Sequence, residues 1–158
     1  MRKAIILAVA VILIAGGAAA QKKAAEGPDK KSVMVTVHRF VDGFNEGDIA
    51  SALATCASPA AIIDEFPPYA WSGPTACADW AAAYDAASKK DGMTNGHVTM
   101  GKPLFVEVNG DRGYAIFPVS FSYKQKGKPV NEAGARLTIA LWKQGSDWKI
   151  TAWTWSKH

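Results

Sequence analysis

IIDEFPPYAWSGPTACADWAAAY, residues 62–84, reads as a short strand, a stiff aromatic loop and an amphipathic helix in succession. A strand is expected over 61–66, where alternation puts Ile62, Asp64 and Phe66 on one side and Ile63 and Glu65 on the other. One of the two acids must then face inward among apolar neighbours. Pro67 and Pro68 stop the strand, and Tyr69, Trp71, Gly73 and Pro74 form the loop. A helix opens at Pro74 or Thr75, and Cys77, Trp80, Ala81, Tyr84 and Ala87 or Ser88 recur along one stripe of it.

Upstream of this stretch the periodicity is helical. Val33, Val37, Phe40, Val41 and Phe44 fall on one face of a helix starting near Ser32. Asn45, Glu46 and Gly47 break it, and Asp48 caps a second short helix carrying Ile49, Ala52, Leu53 and Cys56 toward the core. Downstream, after Lys89 to Gly92 ends the third helix, the pattern is β throughout. A long strand over 97–108 is expected to bend at Gly101 and Pro103, and Asn109, Gly110 and Asp111 make a hairpin turn. Strands over 114–124, 136–143 and 148–155 follow. In the second of these Leu137, Ile139 and Leu141 alternate against Arg136, Thr138, Ala140 and Trp142. Consecutive hairpins make an antiparallel meander. The whole chain reads as α+β, with helices on one face of a curved antiparallel sheet.

The first twenty residues read as a processing signal. Arg2 and Lys3 precede an apolar run from Ala4 to Ala15, and Ala18-x-Ala20 predicts cleavage before Gln21. The apolar run is shorter than the ~20 residues that cross a bilayer, so no membrane association is expected after cleavage. Residues 21–31 read as a polar flexible leader and 32–158 as one domain, periplasmic or secreted. Without Arg2 and Lys3 the 18 basic residues become 16 against 14 acidic ones, a balance near +2. A charge that small gives no footprint for nucleic acid.

Cys56 and Cys77 are the two cysteines. In an oxidising compartment they form a bridge, remain buried thiols or link two chains, and two core-facing positions on neighbouring helices suit a bridge. Neither has a histidine cluster beside it, so no metal site is expected, and no motif calls for a cofactor. His38, His97 and His158 lack the spacing of a nucleophilic triad. Lys124, Lys126 and Lys128 read as a solvated hairpin tip.

HRFVDGFNEGDIASALATC, IIDEFPP, the loop with WSGP, and WKITAWTW together resemble the nuclear transport factor 2-like superfamily, and within it exported bacterial proteins of the SnoaL-like kind. The resemblance runs from about Ser32 to His158. It implies a cone-shaped, cystatin-like domain whose bent sheet and covering helices enclose an apolar cavity, with dimers through the outer sheet face. Relatives include isomerases, dehydratases and cyclases. Set against the ketosteroid-isomerase pattern, the general-base aspartate falls at Asp64 or, one position on, at Glu65. The tyrosine that donates to the oxyanion falls at Phe40, however, and the second oxyanion acid falls near Arg136 to Thr138, where there is no carboxylate. Steroid-type isomerisation therefore lacks its donors.

The candidate site residues are Asp64, Tyr69, Trp71, Trp80, Tyr84 and Arg136. An inward Asp64 is either a desolvated general base or a structural hydrogen-bond acceptor. Glu65 reads as solvated or paired with a lysine. Tyr69, Trp71, Trp80 and Tyr84 either line a pocket or fill the core, with Trp71 at the rim. Arg136 is an anion-binding group, a partner that pairs with Asp64, or a surface strand residue. Phe121, Tyr123, Trp153 and Trp155 are expected on the outer sheet face, where homodimerisation would cover them. The leading functional expectation is an exported domain that binds a small apolar molecule. The alternatives are a lyase or isomerase with Asp64 as base and Tyr69 or Tyr84 as proton donor, and a structural, dimeric interaction module.

Overall fold

The structure is a computed structural model that describes Gly27 to Lys157. The expected signal peptide, its cleavage point and most of the leader lie outside the described residues. Helix α1 spans Pro28–Glu46, with Gly27 in extended conformation as its N-cap and proline in its first turn. It therefore begins four residues before Ser32. Proline is at home in the first turn because the N–H it lacks has no intrahelical partner there, so residues expected in the leader are helical. Gly47 ends α1 in the left-handed conformation that glycine adopts without strain, its N–H donating to Phe44 O. Val33 and Val37 are fully buried and Phe40 and Val41 nearly so, the face the periodicity marked.

Helix α2 spans Ile49–Leu53, and the Asp48 carboxylate accepts from Ser51 N as its cap. The chain then enters a strand earlier than the sequence suggests. Strand β1 runs Cys56–Ile63 and pairs antiparallel with β2, Ala70–Gly73. Cys56 therefore opens a strand instead of lying on a helix face, and Asp64 stands just past the strand end. Helix α3 spans Ala76–Asp91 with Gly92 as its left-handed C-cap. Cys77, in its first turn, is disulfide-bonded to Cys56 across a Cα separation of 6.6 Å.

The remaining strands are β3 Met93–Met100, β4 Phe105–Asn109, β5 Arg112–Gln125, β6 Lys128–Gln144 and β7 Asp147–Ser156. The single long strand expected over 97–108 is two strands. β4 pairs with the first part of β5 and β3 with the rest. Between them Gly101 packs so close to Pro118 that a Cβ there would lie 2.9 Å from the proline ring, and Pro103 has no N–H to continue a ladder.

The sheet order is β2-β1-β7-β6-β5-β3, with β4 beside β5. The hairpins β5–β6 and β6–β7 are antiparallel as expected, but β1 lies parallel to β7, with Ile62 opposite Trp153. The sheet is therefore mixed. Two distant segments meet there, and no hairpin turn between them could have announced it.

Helix α1 crosses β7, β3 and β4 while α3 packs on β1 and β2, so both cover the same face. Beneath them lie Phe117, Leu137, Ile139, Leu141 and Ile150, each at most 3% exposed. The Asn45 side chain ties the end of α1 to β3 by donating to Val98 O at 2.9 Å and accepting from Val98 N at 2.7 Å. It supplies the outer edge of β3 with the bonds a neighbouring strand would give.

The four rings expected on the outer sheet face are not there. Trp153 is 5% exposed in the core, and Phe121, Tyr123 and Trp155 stand on the helix-covered side with it. Exposed apolar groups include Ile63, Phe105, Tyr114 and Trp142. Alternation told which residues share a side, but only the helices decide which side is the inner one.

Candidate functional site

A pocket of about 220 Å³ opens between α1, α3 and the sheet. Phe40 and Phe44 reach it from α1, and Trp80 and Tyr84 from α3. Phe121 from β5 and Trp153 and Trp155 from β7 complete most of the apolar wall. Most of the rings meet edge to face or tilted, while Trp80 and Tyr84 stack at 5.8 Å and 23°. Trp80 and Trp153 are 4.8 Å apart at 89°, and Phe44 and Tyr84 are 5.1 Å apart at 64°. Edge-to-face packing sets each ring's positive edge on its neighbour's negative face and holds the wall in one arrangement.

Polar groups enter at defined points. Asp64 Oδ2 accepts from Trp80 Nε1 at 2.8 Å, and Oδ1 accepts from Glu65 N at 2.7 Å. The loop that presents it is closed by Asp64 N donating to Tyr69 O and Tyr69 N donating to Phe66 O. Burial pushes the Asp64 carboxyl above the usual carboxylate range, against the opposing pull of those two N–H donors and of Lys157. Burial likewise raises the Tyr84 hydroxyl, with the Asp64 charge adding to the effect. Ser88 Oγ lies near that hydroxyl but makes no hydrogen bond of good geometry. Trp153 Nε1 is also buried and without a hydrogen-bond partner among the described residues.

At one side of the pocket stands a charged cluster. Lys157 Nζ is 2.9 Å from Glu65 Oε1 and 3.3 Å from Glu132 Oε2. Tyr123 donates its hydroxyl proton to Glu132 Oε1 at 2.9 Å. Burial raises the Glu65 carboxyl and the neighbouring Glu132 raises it further, while Lys157 works the other way. The lysine ammonium is itself held in its charged form, first by the Glu65 hydrogen bond.

Of the residues singled out from the sequence, Asp64, Trp80 and Tyr84 come together at the pocket and the other three do not border it. Tyr69 is 57% exposed, with a positive φ that turns the loop. Trp71, expected at the rim, is a β2 residue facing the core opposite Ile62, its ring 5.1 Å from that of Phe66. Phe66 takes the pocket-lining place instead. Arg136 is exposed on the outer side of β6, so it neither faces Asp64 nor offers a cation to the pocket. Glu65 does pair with a lysine, Lys157.

Sequence reasoning missed Glu132 and Lys157 as pocket groups. Trp153, Trp155 and Lys157 recur at every second position, a spacing that could have placed the lysine beside the rings. Glu132 had no such signal. It is opposite Phe121, and an irregularity in the β5–β6 register between Val119 and Phe121 breaks its parity with Ala135 and Leu137. Among the described residues, no group of three His, Cys, Asp or Glu is arranged to hold a metal ion.

No family model matches the chain. No curated protein sequence matches it either. Solved structures do. A nuclear transport factor 2-like superfamily protein from Salmonella enterica aligns with a TM-score of 0.67 at 14% identity, over 81% of this chain and 89% of that one. A ketosteroid isomerase-like protein from Erwinia carotovora aligns with a TM-score of 0.65 at 15% identity, over 83% and 97%. A nuclear transport factor 2-like protein with a cystatin-like fold, from Novosphingobium aromaticivorans, gives 0.64 at 14%, over 80% of each chain. The chain therefore has the nuclear transport factor 2-like, cystatin-like fold expected from its sequence. A fold shared at such identities does not carry an activity with it.

Proposed function

We propose that the chain is an exported domain that binds a small, ring-bearing and largely apolar molecule in the pocket between α1, α3 and the sheet. The observation that carries this reading is a pocket walled by aromatic rings from α1, α3, β5 and β7, with the Asp64 carboxylate among its lining groups. A mostly apolar wall with a few placed polar groups is the makeup of a small-molecule site. At about 220 Å³ the pocket is smaller than the ~300 Å³ at which drug-sized sites begin, which suits a molecule of one or two rings. The disulfide agrees with an oxidising compartment.

Titration with 2-naphthol, followed by tryptophan fluorescence, tests the reading because Trp80, Trp153 and Trp155 line the pocket. Saturable quenching is expected, weakened at least ~10-fold in Ala87→Trp, whose indole occupies the space. Quenching that never saturates, or that Ala87→Trp leaves unchanged, removes the reading.

A second reading, general-base catalysis by Asp64 in a lyase or isomerase, is favoured by the desolvation that raises its carboxyl toward a working range. Tyr84 is the proton donor that the pocket retains, because Tyr69 does not border it. Phe40 and the outward Arg136 still leave an oxyanion without the donors of the isomerase pattern. Asp64→Asn separates the two readings: a binder keeps its affinity for 2-naphthol, and a catalyst loses turnover of its substrate while keeping affinity.

Pairing of two copies through the outer sheet face now rests on Ile63, Phe105 and Tyr114 in place of the inward rings. Sedimentation is expected to give the mass of two chains and, for Tyr114→Glu, of one. A single-chain mass for the unaltered protein removes the proposal.

A further inference from the structure

The polar side of the pocket is acidic. Asp64, Glu65 and Glu132 line it, and the cation among the lining residues is Lys157. That lysine serves two carboxylates at once, at 2.9 and 3.3 Å. Its side chain is 56% exposed, whereas Glu65 and Glu132 are 29% and 27% exposed. The two acids thus stand partly exposed at the edge of the pocket, and the ammonium reaches them from the solvent side. Partial desolvation makes a cation beside them favourable, and here the chain supplies it from its own side chain. Beside them stand Tyr123, Trp155 and Phe121, with Phe121 and Tyr123 stacked at 5.1 Å and 29°. The faces of such rings attract cations.

We propose that the pocket takes a small organic cation: a ring-bearing ammonium whose nitrogen replaces Lys157 Nζ between Glu65 and Glu132 while its apolar body lies against the aromatic wall. Lys157 is then a built-in competitor that holds the acids in place until the ligand displaces it. The ligand's ring lies against Trp153 and Trp155 in the pocket wall. This inference deepens the pocket reading above and rests on it. The pocket reading needs only that a ring-bearing molecule binds, whereas this one needs its charge to matter. The raised carboxyls of Asp64 and Glu65 are consistent with it, since a nearby cation favours the charged form of each.

Three probes of nearly equal shape decide it: 2-phenylethylammonium, neutral 2-phenylethanol and anionic phenylacetate, each titrated by tryptophan fluorescence at neutral pH. The ammonium is expected to bind at least ~10-fold more tightly than the alcohol, and phenylacetate more weakly than either, because close charge-assisted pairs are among the stronger polar contacts. In Lys157→Met the ammonium is expected to gain roughly tenfold in affinity with the alcohol unchanged, since the competing charge is gone. In Glu132→Gln the preference for ammonium over alcohol is expected to shrink. Equal binding of ammonium and alcohol overturns the inference, as does a Lys157→Met protein that binds the ammonium no better. If the alcohol and 2-naphthol bind and the ammonium does not, the pocket reading stands and this inference falls. If neither 2-naphthol nor any of the three probes binds, both fall.

Discussion

Phe117→Ala is expected to lower the free energy of unfolding by about 3–5 kcal/mol, a large part of the ~5–15 kcal/mol that a domain of this size possesses. Phe117 is the bulkiest of the side chains with essentially no exposure. It lies on the inner side of β5 opposite Leu137, in the same core cluster as Val37 and Phe40 of α1. Truncation removes the ring's contacts and leaves a cavity that the surrounding strands cannot close, because β5 is hydrogen-bonded on one edge to β6 and on the other to β3 and β4. Urea unfolding followed by circular dichroism checks it. Arg136→Ala, on the outward side of the neighbouring strand, is the control and is expected within ~0.5 kcal/mol of the unaltered protein. Loss of less than ~1 kcal/mol for Phe117→Ala would mean that the sheet face beneath α1 is not the packing centre.

Loss of the disulfide is expected to cost about 2–4 kcal/mol. The bridge joins the start of β1 to the first turn of α3 across a sequence separation of 21 residues. For a closed loop of that length the chain-entropy account gives roughly 3 kcal/mol, by restricting the unfolded chain. The closed segment holds β1, β2 and the Asp64 to Phe66 turn, so the same cross-link bounds the part of the chain that presents the pocket acids. Cys56→Ala/Cys77→Ala is expected to unfold at lower urea with a slope no shallower than before, because the unfolded chain is no longer cross-linked, and the unaltered protein is expected to match it in the presence of dithiothreitol. Stability that responds to neither change would show that the noncovalent packing of α3 on β1 holds this region by itself.

Much of the architecture was written in periodicity. The stripe Val33, Val37, Phe40, Val41 and Phe44 marked the buried face of α1, and the alternation through Leu137, Ile139 and Leu141 separated the two sides of β6, because helices and strands repeat with fixed periods. Asp48 and Gly92 marked helix ends for equally local reasons: a short side-chain acceptor at one, a residue free to take positive φ at the other. Local signals failed where the decisive partner was distant. Cys56 looked helical because Ala52, Leu53 and Cys56 fit a helical spacing, yet parallel pairing with β7 draws it into a strand. The site was legible to a lesser degree. Asp64, Trp80 and Tyr84 were identified, while Tyr69, Trp71 and Arg136 were assigned on composition and neighbours alone.

The sequence by itself determined the α+β class, the helix faces, the hairpins from β5 onward, and the pairs of residues that share a side in the regular stretches of the strands, all of which follow from contacts within a few residues. Only the tertiary structure decided which side of the sheet the helices cover. That choice turned Phe121, Tyr123, Trp153 and Trp155 from a surface into a pocket wall. It also brought Lys157, Glu132 and Glu65 together from three separate parts of the chain, since β1 lies parallel to β7 and the β5–β6 register shifts between Glu132 and Ala135. Strand alternation carries no information about which face will be covered. That depends on where helices distant in sequence come to rest, so the polar side of the pocket exists only in the folded chain.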